Sequence, residues 1–379
     1  MLGDIRDRVE SEFDSILETA RDLIRIPSRS GEERICAEYI HSRLNEMYTN
    51  YSIALLNRPF EHRPQVIMYD NDNNYDTKII LNGHIDTVPE GNLEMWSVDP
   101  FSAVVRDGML YGRGAADMKS NLALMMHIPR VLPSSIALTF AVGEERAEQG
   151  SKYILDYLKD KIKAKYAIVL EPTSLKVCYA QQGALWLKVK VRGKSVHASM
   201  PEYGINAIAE ASRIIEVLKN YTLYSDECRA KCSVTMIQGG IKENVIPDDC
   251  ILYIDRRFTP RESRDNVINE IRSLLDSLHI DYSIEVIGER NSVSISRDSY
   301  IARALYNSCR SLGLDTSYEC FPASTDNEYF TAEGIEGVVW GAGSLQYAHA
   351  ADEHISIEEL RQEAYALAYT LYSYKSLLS

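Results

Sequence analysis

The sequence lacks any long uninterrupted apolar run, and it carries fewer positive charges than negative ones. Lys and Arg number 41 against 55 Asp and Glu, which gives a formal net charge of -14 and a pI near 5.1. Such a chain repels phosphate backbones and anionic lipid, so we expect neither a nucleic acid nor a membrane partner. The opening residues, MLGDIRDRVE, are charged and do not resemble a cleavable leader. These features predict a soluble, cytoplasmic protein that acts on a small molecule.

Cysteine is also scarce. The seven cysteines form an odd and scattered set, which is a poor disulfide framework for a chain of this length. We therefore expect most of them to be reduced thiols. Cys228 and Cys232 are close in sequence, but a second nearby pair that would complete a tetrahedral zinc site is missing from the sequence. A structural metal at this pair is disfavoured.

The N-terminal part of the chain predicts two helices. Apolar residues recur at helical spacing over residues 5 to 26, and Pro27 ends that pattern. Ser30 is a plausible N-cap for a second helix, with two glutamates following it in the first turn.

Short apolar runs then alternate with helical stretches. The runs are KIILNG, IALTFAV, YAIVLEP and GVVWGAG. Strands buried on both faces have this composition, so the pattern predicts an α/β domain with a largely parallel sheet. At 379 residues the chain also exceeds the usual size of a single core, which favours a second domain.

The second domain is expected between residues 183 and 289, where longer strands show an alternating pattern. Two helical stretches lie among four such strands in the order βαββαβ, which is a complete ferredoxin-like unit. Because GVVWGAG lies after it and returns to the buried-strand pattern, this unit is inserted. The α/β domain would then comprise residues 1–182 and 290–379.

Acidic residues and histidines follow the predicted strands of the α/β domain. They are His84 and Asp86, Glu144 and Glu145, Glu171, and His349, together with Asp117 at a glycine-rich turn that leads into a helix. Ligands of open α/β sheets bind at the carboxyl ends of strands, and mixed imidazole and carboxylate donors suit zinc, cobalt or manganese. Taken singly, a histidine after a strand is usually structural and an acid pair is usually solvated. Five clusters at one edge favour a metal site, because burying so many acids without cations is costly.

Seven ordered motifs carry a resemblance to a known family. They are GHIDTVP (83–89), YGRGAADMK (111–119), GEE (143–145), LEPT (170–173), KSVHASMP (194–201), NVIPDD (244–249) and AHAADEH (348–354). These motifs span nearly the whole chain and resemble the M20 metallopeptidase and deacylase family. That family includes acetylornithine deacetylase, succinyl-diaminopimelate desuccinylase, aminoacylases and glutamate carboxypeptidases.

The resemblance implies a site for two divalent metal ions. The ions would be zinc in the first place, with cobalt or manganese as alternatives. One ion would be held by His84 and Glu171, the other by Glu145 and His349, with Asp117 bridging them. Asp86 would not be a ligand, and its carboxylate would orient the imidazole of His84.

The resemblance also assigns roles outside the metal ligands. Glu144 would be the general base, and His197 of the inserted domain would stabilise the oxyanion, reaching the active site of a partner subunit in a homodimer. Arg257, helped by Asn244, would bind the substrate carboxylate, although a strand arginine is more often a surface ion-pair partner. Ser324 and Thr325 are expected substrate contacts, in a segment where many relatives have a glycine-rich turn.

The implied reaction is hydrolysis of a linear amide bond in an N-acyl amino acid, as in acetylornithine deacetylase or succinyl-diaminopimelate desuccinylase. The inserted domain would then serve as a lid and a dimerisation domain. A dipeptidase or carboxypeptidase that uses the same two-metal site is the alternative. A non-catalytic binding protein with this fold is a third possibility, which the presence of Glu144 and of every ligand position disfavours. The late segment WGAGSLQYAHAADEH is more similar to acetylornithine deacetylases than to desuccinylases, but it leaves the acyl group open.

Overall fold

The structure, a computed structural model, describes residues 2–70, 78–132, 136–221, 223 and 228–378. The chain divides into two compact units. The first comprises residues 1–179, 295–319 and 325–379, and the second comprises residues 180–294 and 320–324. The second unit thus extends beyond the expected bounds of 183 and 289, and it takes in a short segment close to the C-terminal part of the chain.

The described helices are α1 (Leu2–Arg25), α2 (Arg34–Met47), α3 (Ser120–Val131), α4 (Gly150–Leu158), α5 (Ala207–Lys219), α6 (Arg264–Asp276), α7 (Tyr300–Ser311), α8 (Asn327–Ala332) and α9 (Ile357–Leu378). The described strands are β1 (Tyr51–Leu56), β2 (Gln65–Asp70), β3 (Lys78–His84), β4 (Val105–Arg106), β5 (Met109–Tyr111), β6 (Ile136–Ala141), β7 (Ala164–Val169), β8 (Val177–Gln181), β9 (Gly183–Arg192), β10 (Val196–His197), β11 (Lys231–Gly239), β12 (Val245–Ile246), β13 (Asp249–Phe258), β14 (Tyr282–Arg290), β15 (Val293–Ser294), β16 (Tyr318–Phe321), β17 (Glu336–Val339) and β18 (His354–Ser356). Within the described residues, none of the helices is both long and apolar enough to cross a membrane.

The two N-terminal helices form where the sequence predicts them, with one difference at the second. Helix α1 ends at Arg25, two residues before Pro27. Helix α2 begins at Arg34 and its N-cap is Glu33, so the expected N-cap role of Ser30 was wrong. The Ser30 hydroxyl instead donates to the Asp86 carboxylate at 2.7 Å. The Ser30 side chain therefore binds a residue that is distant in sequence and does not cap the helix.

The large sheet of the first unit is parallel at its centre. Its strands run in the order β1-β2-β6-β3-β7-β17-β8. Strand β3 is parallel to both β6 and β7, and β7 is parallel to β17. Antiparallel pairs flank these strands, β1 with β2 and β2 with β6 on one side and β17 with β8 on the other. The predicted α/β fold with a largely parallel sheet is confirmed.

The strand registers bring the candidate ligands to one edge of this sheet. His84 at the end of β3 pairs with Ala141 at the end of β6. Asn82 of β3 pairs with Val169 at the end of β7. The segments that follow β3, β6 and β7 therefore leave the sheet side by side, which is where ligands of such sheets bind.

The second unit contains a four-stranded antiparallel sheet in the order β11-β13-β9-β14. Alternate residues of β9 are buried, among them Leu185, Leu187 and Val189, and they form one core with Ile214 of α5 and Ile271 of α6. With its two helices the unit has the expected βαββαβ order, so the predicted ferredoxin-like insertion is confirmed.

Most of the cysteines are reduced thiols, as the sequence predicts, and one disulfide is the exception. Cys228 and Cys320 are bonded across 92 residues of sequence, while the five other cysteines are free thiols, as expected. Both bonded cysteines belong to the second unit. The main-chain N–H of Gln182 also donates to Phe321 at 3.1 Å. The folded chain thus brings the 320–324 segment beside Cys228. The spacing of the two cysteines in the sequence did not predict this pairing.

Candidate metal centre

His84 ends β3 and points into a buried cluster of acids. Its Nδ1 atom lies 2.8 Å from the carbonyl oxygen of Asp86, and its Nε2 atom lies 3.0 Å from Oδ1 of Asp117. Because a carbonyl oxygen can only accept, Nδ1 must be the donor, so Nε2 faces the carboxylate side. A neutral imidazole would then direct its Nε2 lone pair at Asp117, an arrangement that needs a cation or a proton between them.

Two groups of side chains could each hold a metal ion, and they share Asp117. The first is His84, Asp117 and Glu171, and the second is Asp117, Glu145 and His349. Within each group the possible ligand atoms all lie within 4.8 Å of one another. Two ligand atoms of one tetrahedral zinc ion lie about 3.4 Å apart, so both groups fit an ion of this size. The structure thus brings together all five side chains that the resemblance assigned as ligands.

The electrostatics of the two groups also fit cations. Burial raises the pKa of Glu171 well above its ordinary value, and the nearby Asp117 raises it further. Hydrogen bonds to Asp117 and Glu145 raise the pKa of His349 to about 10. Both shifts arise because acidic groups crowd together at this site, so the site favours added positive charge. Divalent ions would supply that charge while leaving both imidazoles neutral, which is the form that binds metal.

The Asp86 carboxylate lies beside the His84 ring, with Oδ1 at 3.7 Å from Nδ1, while the main-chain carbonyl of Asp86 is the nearer acceptor at 2.8 Å. That the carboxylate orients the imidazole stays a prediction. The two carboxylate oxygens accept the main-chain N–H groups of Gly143, Glu144 and Glu145 at 2.9, 3.2 and 3.2 Å. The carboxylate reaches these donors because β3 and β6 end side by side. Asp86 therefore fixes the turn that bears Glu144 and Glu145.

Glu144 lies on that turn, immediately before the ligand Glu145. Gly143 precedes it with a φ of 80°, in the left-handed region that favours glycine. The Glu144 side chain is half-buried, and it is close enough to Glu171 to contribute to the raised pKa of that residue. The structure thus places a carboxylate that belongs to neither ligand group beside the candidate ligands.

Glu353 is a buried carboxylate of this unit to which the sequence analysis assigned no role. It belongs to the AHAADEH motif, and it accepts hydrogen bonds from Arg113 and from three main-chain N–H groups in the turn that bears Asp117. Its position directly after Asp352, in a motif that was recognised for His349, was the only signal in the sequence.

His197 and Asn244 are neighbours in the second unit. His197 pairs with Val245 across strands β10 and β12, and the N–H of Ala198 donates to the carbonyl of Asn244 at 2.9 Å. Both side chains are exposed. The Nδ1 atom of His197 accepts the main-chain N–H of Ser199 at 3.2 Å. A neutral His197 therefore carries its proton on Nε2.

Arg257 forms the ion pair that the sequence analysis considered as its alternative role. Its Nε and Nη2 atoms donate to the two carboxylate oxygens of Asp255 at 2.7 and 3.0 Å. The side chain is 25% exposed. Asp255 thus fixes the orientation of the guanidinium, and contact with a substrate carboxylate stays a prediction.

Ser324 and Thr325 make structural hydrogen bonds. The Ser324 hydroxyl donates to the carbonyl of Gln182 at 2.8 Å. Thr325 is 2% exposed, and its hydroxyl accepts the N–H of Asn327 at 3.1 Å, at the start of α8. Substrate contact by either residue stays a prediction.

Comparison with known proteins agrees with this geometry. The family model described as peptidase family M20/M25/M40 matches residues 80–373. The chain belongs to this family. It is 30% identical over 288 residues to succinyl-diaminopimelate desuccinylase 2 of Shewanella loihica, an alignment that covers 69% of this chain and 72% of that protein. The resemblance seen in the seven motifs is thereby confirmed, and the chain is a hydrolase of the M20 family.

Solved structures of peptidases share the fold. A tripeptidase from Staphylococcus aureus matches with a TM-score of 0.80 and 21% identity, over 95% of this chain and 97% of that one. A dinuclear metal-binding M20 peptidase from Bacillus subtilis matches with a TM-score of 0.72 and 19% identity, over 96% of this chain and 99% of that one. At this level of identity they establish the fold alone.

Proposed function

We propose that this M20 hydrolase holds two divalent ions, zinc in the first place, and cleaves the amide bond of an N-acyl amino acid. The observation that carries the proposal is the position of Asp117, whose carboxylate is common to both groups of candidate ligands. A carboxylate that both groups share is suited to bridging two ions, and the M20 peptidase of Bacillus subtilis that has this fold is described as dinuclear. The desuccinylase relative supports an N-acyl amino acid as the substrate.

Two such ions would supply an activated water at neutral pH and would polarise the substrate carbonyl. Glu144 is the residue of this chain that moves the proton. Its carboxylate takes a proton from the attacking water and delivers it to the nitrogen of the leaving amine. Glu145 cannot share this task, since it binds metal. The hydrogen bond from the Glu144 main chain to Asp86 keeps the base in place during both transfers.

His197 donates a hydrogen bond to the oxyanion that forms on the substrate carbonyl. The tautomer of His197 supports this role. Its Nδ1 atom accepts the main-chain N–H of Ser199, so the proton of the neutral ring is on Nε2, where it can be donated to the oxyanion. An N–H donor aimed at a developing oxyanion stabilises the transition state more than the ground state. Asn244 and Arg257 of the same unit bind the substrate carboxylate, with Asp255 orienting the guanidinium.

The active form is a homodimer in which the inserted domain is both a lid and the dimerisation domain. Strand β11 ends the order of the four-stranded sheet, and an edge strand is a template for pairing with a second chain. Its residues Met236 and Ile237 are 50% and 51% exposed, and Ile208 of the adjacent α5 is 39% exposed. Pairing of two copies along β11 would cover these apolar side chains. A cytoplasmic location stays a prediction.

An activity panel tests the proposal. The metal-free protein is loaded with zinc, cobalt or manganese and is assayed with N-acetyl and N-succinyl amino acids and with dipeptides, alongside the Glu144→Ala variant. We expect release of free amine from N-acyl amino acids by the wild type only. Hydrolysis confined to peptides would instead support the dipeptidase or carboxypeptidase alternative. Two bound ions without any hydrolysis would indicate a binding protein.

A further inference from the structure

Glu353 makes four hydrogen bonds that converge on the turn before α3. Its Oε1 atom accepts the main-chain N–H groups of Ala116 and Asp117, each at 3.0 Å. Its Oε2 atom accepts the N–H of Gly114 at 3.0 Å and Nη1 of Arg113 at 2.6 Å. The Glu353 side chain is 1% exposed. A single buried carboxylate thus satisfies three main-chain donors of the segment that bears the shared candidate ligand.

The turn cannot satisfy these donors by itself. Asp117 has φ and ψ angles of -125° and 89°, which are not helical, and Gly114 has a φ of 82°. The regular helix begins only at Ser120. Buried N–H groups of an irregular turn need a partner from elsewhere in the chain, because a buried donor without a partner destabilises the fold. Glu353 is that partner for Ala116 and Asp117.

Glu353 also connects this turn to the segment that carries His349. It lies four residues after His349, and its own carbonyl accepts the N–H of Gly112 at 2.9 Å. The next residue, His354, pairs with Tyr111 where β18 and β5 meet. The segments that bear two ligands of the second candidate metal group are therefore joined at Glu353.

We propose that Glu353 is a positioning residue that sets the place of Asp117 relative to His349 and thereby the affinity of the site for metal, an inference that rests on the proposed metal-dependent function. Its carboxylate acts through the main chain of the ligand turn and not by binding an ion. Residues that orient metal ligands typically change metal affinity by about 10- to 100-fold when they are replaced. The same effect is expected for Glu353.

The first test compares Glu353→Gln with Glu90→Gln. Glu90 is a matched control, since it is also a buried carboxylate bound by an arginine, with Arg29 donating to it at 2.7 Å. The metal-free proteins are titrated calorimetrically with zinc, and the cobalt-loaded proteins are compared by absorption spectroscopy. We expect Glu353→Gln to bind metal about 10- to 100-fold more weakly, with an altered cobalt spectrum. Glu90→Gln should bind metal like the wild type, even if its melting temperature falls by the same amount.

A second variant separates anchoring from charge. Glu353→Gln leaves the buried Arg113 guanidinium without its carboxylate, and that positive charge alone could repel a cation. The double variant Glu353→Gln with Arg113→Met removes the charge but does not restore the anchor. Weak metal binding should persist in the double variant. Recovery of wild-type affinity would show that the charge of Arg113 causes the loss, and it would overturn the proposal.

If Glu353→Gln does not fold, the Glu353→Asp variant tests the proposal. The aspartate keeps the charge but is one methylene shorter, so it cannot reach both pairs of donors. We expect weaker metal binding, and wild-type affinity in this variant would overturn the proposal. If the wild type binds two ions and Glu353→Gln binds them with equal affinity, only the role of Glu353 is refuted. A wild type that binds no divalent ion would refute the proposed function as well.

Discussion

Oδ1 of Asp86 accepts the main-chain N–H of Glu144 at 3.2 Å, although the two residues are 58 positions apart in the sequence. The same carboxylate holds Glu145 through Oδ2, and the hydroxyl of Ser30 donates to that oxygen at 2.7 Å. One buried acid therefore orients both the proposed base and a candidate ligand. A disturbance of Asp86 should affect proton transfer and metal binding together.

Replacement of Asp86 by Asn should weaken binding of one metal ion by about 10- to 100-fold and should also lower kcat. The amide has one acceptor oxygen, so it cannot hold all three N–H groups of the turn. The control is Ser30→Ala, which removes one hydrogen bond and leaves the three main-chain bonds in place, and which should cost about 0.5–1.5 kcal/mol of stability with little loss of metal affinity. Metal titration and kcat at saturating metal check both variants. Unchanged kcat in metal-saturated Asp86→Asn would contradict the link to Glu144.

Glu144→Ala should keep both metal ions and lose turnover by about 100- to 10,000-fold, because it removes the proton carrier and leaves all five candidate ligands. Glu145→Ala is the matched variant on the same turn, and it should lose one ion. Elemental analysis of the purified proteins, together with kcat, distinguishes them. If Glu144→Ala loses metal in proportion to activity, the roles of the two glutamates are assigned wrongly.

Two inactive variants should complement each other if His197 acts in the active site of the partner subunit. Glu144→Ala and His197→Ala chains are unfolded, mixed in equal amounts and refolded. Half of the dimers are then mixed, and each mixed dimer has one site with an intact Glu144 and an intact His197. Activity should reach about a quarter of the wild-type value.

The control for this experiment shows that mixed dimers are present. The two chains carry different affinity tags, so a mixed dimer is recognised by having both tags. If His197 acts within its own chain, every site of a mixed dimer carries one defect. No recovery in preparations that contain mixed dimers would rule out action across the dimer, while the metal site and the role of Glu144 would be unaffected.

His127 should make the stability of the metal-free protein depend on pH. Its Nδ1 atom lies 2.6 Å from Glu12, and its Nε2 atom lies 2.8 Å from the Thr19 hydroxyl. Burial lowers the pKa of His127 below its ordinary value; the Glu12 charge opposes this shift, while Arg130 and Arg43 add to it. As the pH falls below about 6.5, His127 binds a proton in the unfolded chain but not yet in the folded chain. The free energy of unfolding should therefore fall.

Urea denaturation at pH 7.5 and pH 5.5 checks this expectation, with His127→Gln as the comparison. The glutamine cannot titrate, so the decrease in the free energy of unfolding between the two pH values should be smaller in the variant. Titratable groups that do not contact His127 contribute equally to both proteins. An equal decrease in the two proteins would show that His127 does not cause the pH dependence.

The sequence by itself determined the fold class and the candidate ligands. Strands buried on both faces leave continuous apolar runs, and residues such as His84 and Glu171 directly follow those runs. Parallel neighbours end at the same edge of a sheet, so local pattern alone predicted that these side chains would meet. The alternating strands of the inserted unit were recognisable for the same reason, because side-chain burial follows the period of the strand.

Only the tertiary structure decided what the non-ligand side chains do. Ser30 matched a helix cap locally but bonds to Asp86, and Asp86 holds a turn 57 to 59 residues away. Glu353 holds donors in a turn more than 230 residues earlier in the chain. Apolar burial leaves a periodic signal in the sequence, whereas a hydrogen bond between distant segments depends on strand register and loop path. Such partners leave no local pattern, so they were found only where the folded chain brings the segments together.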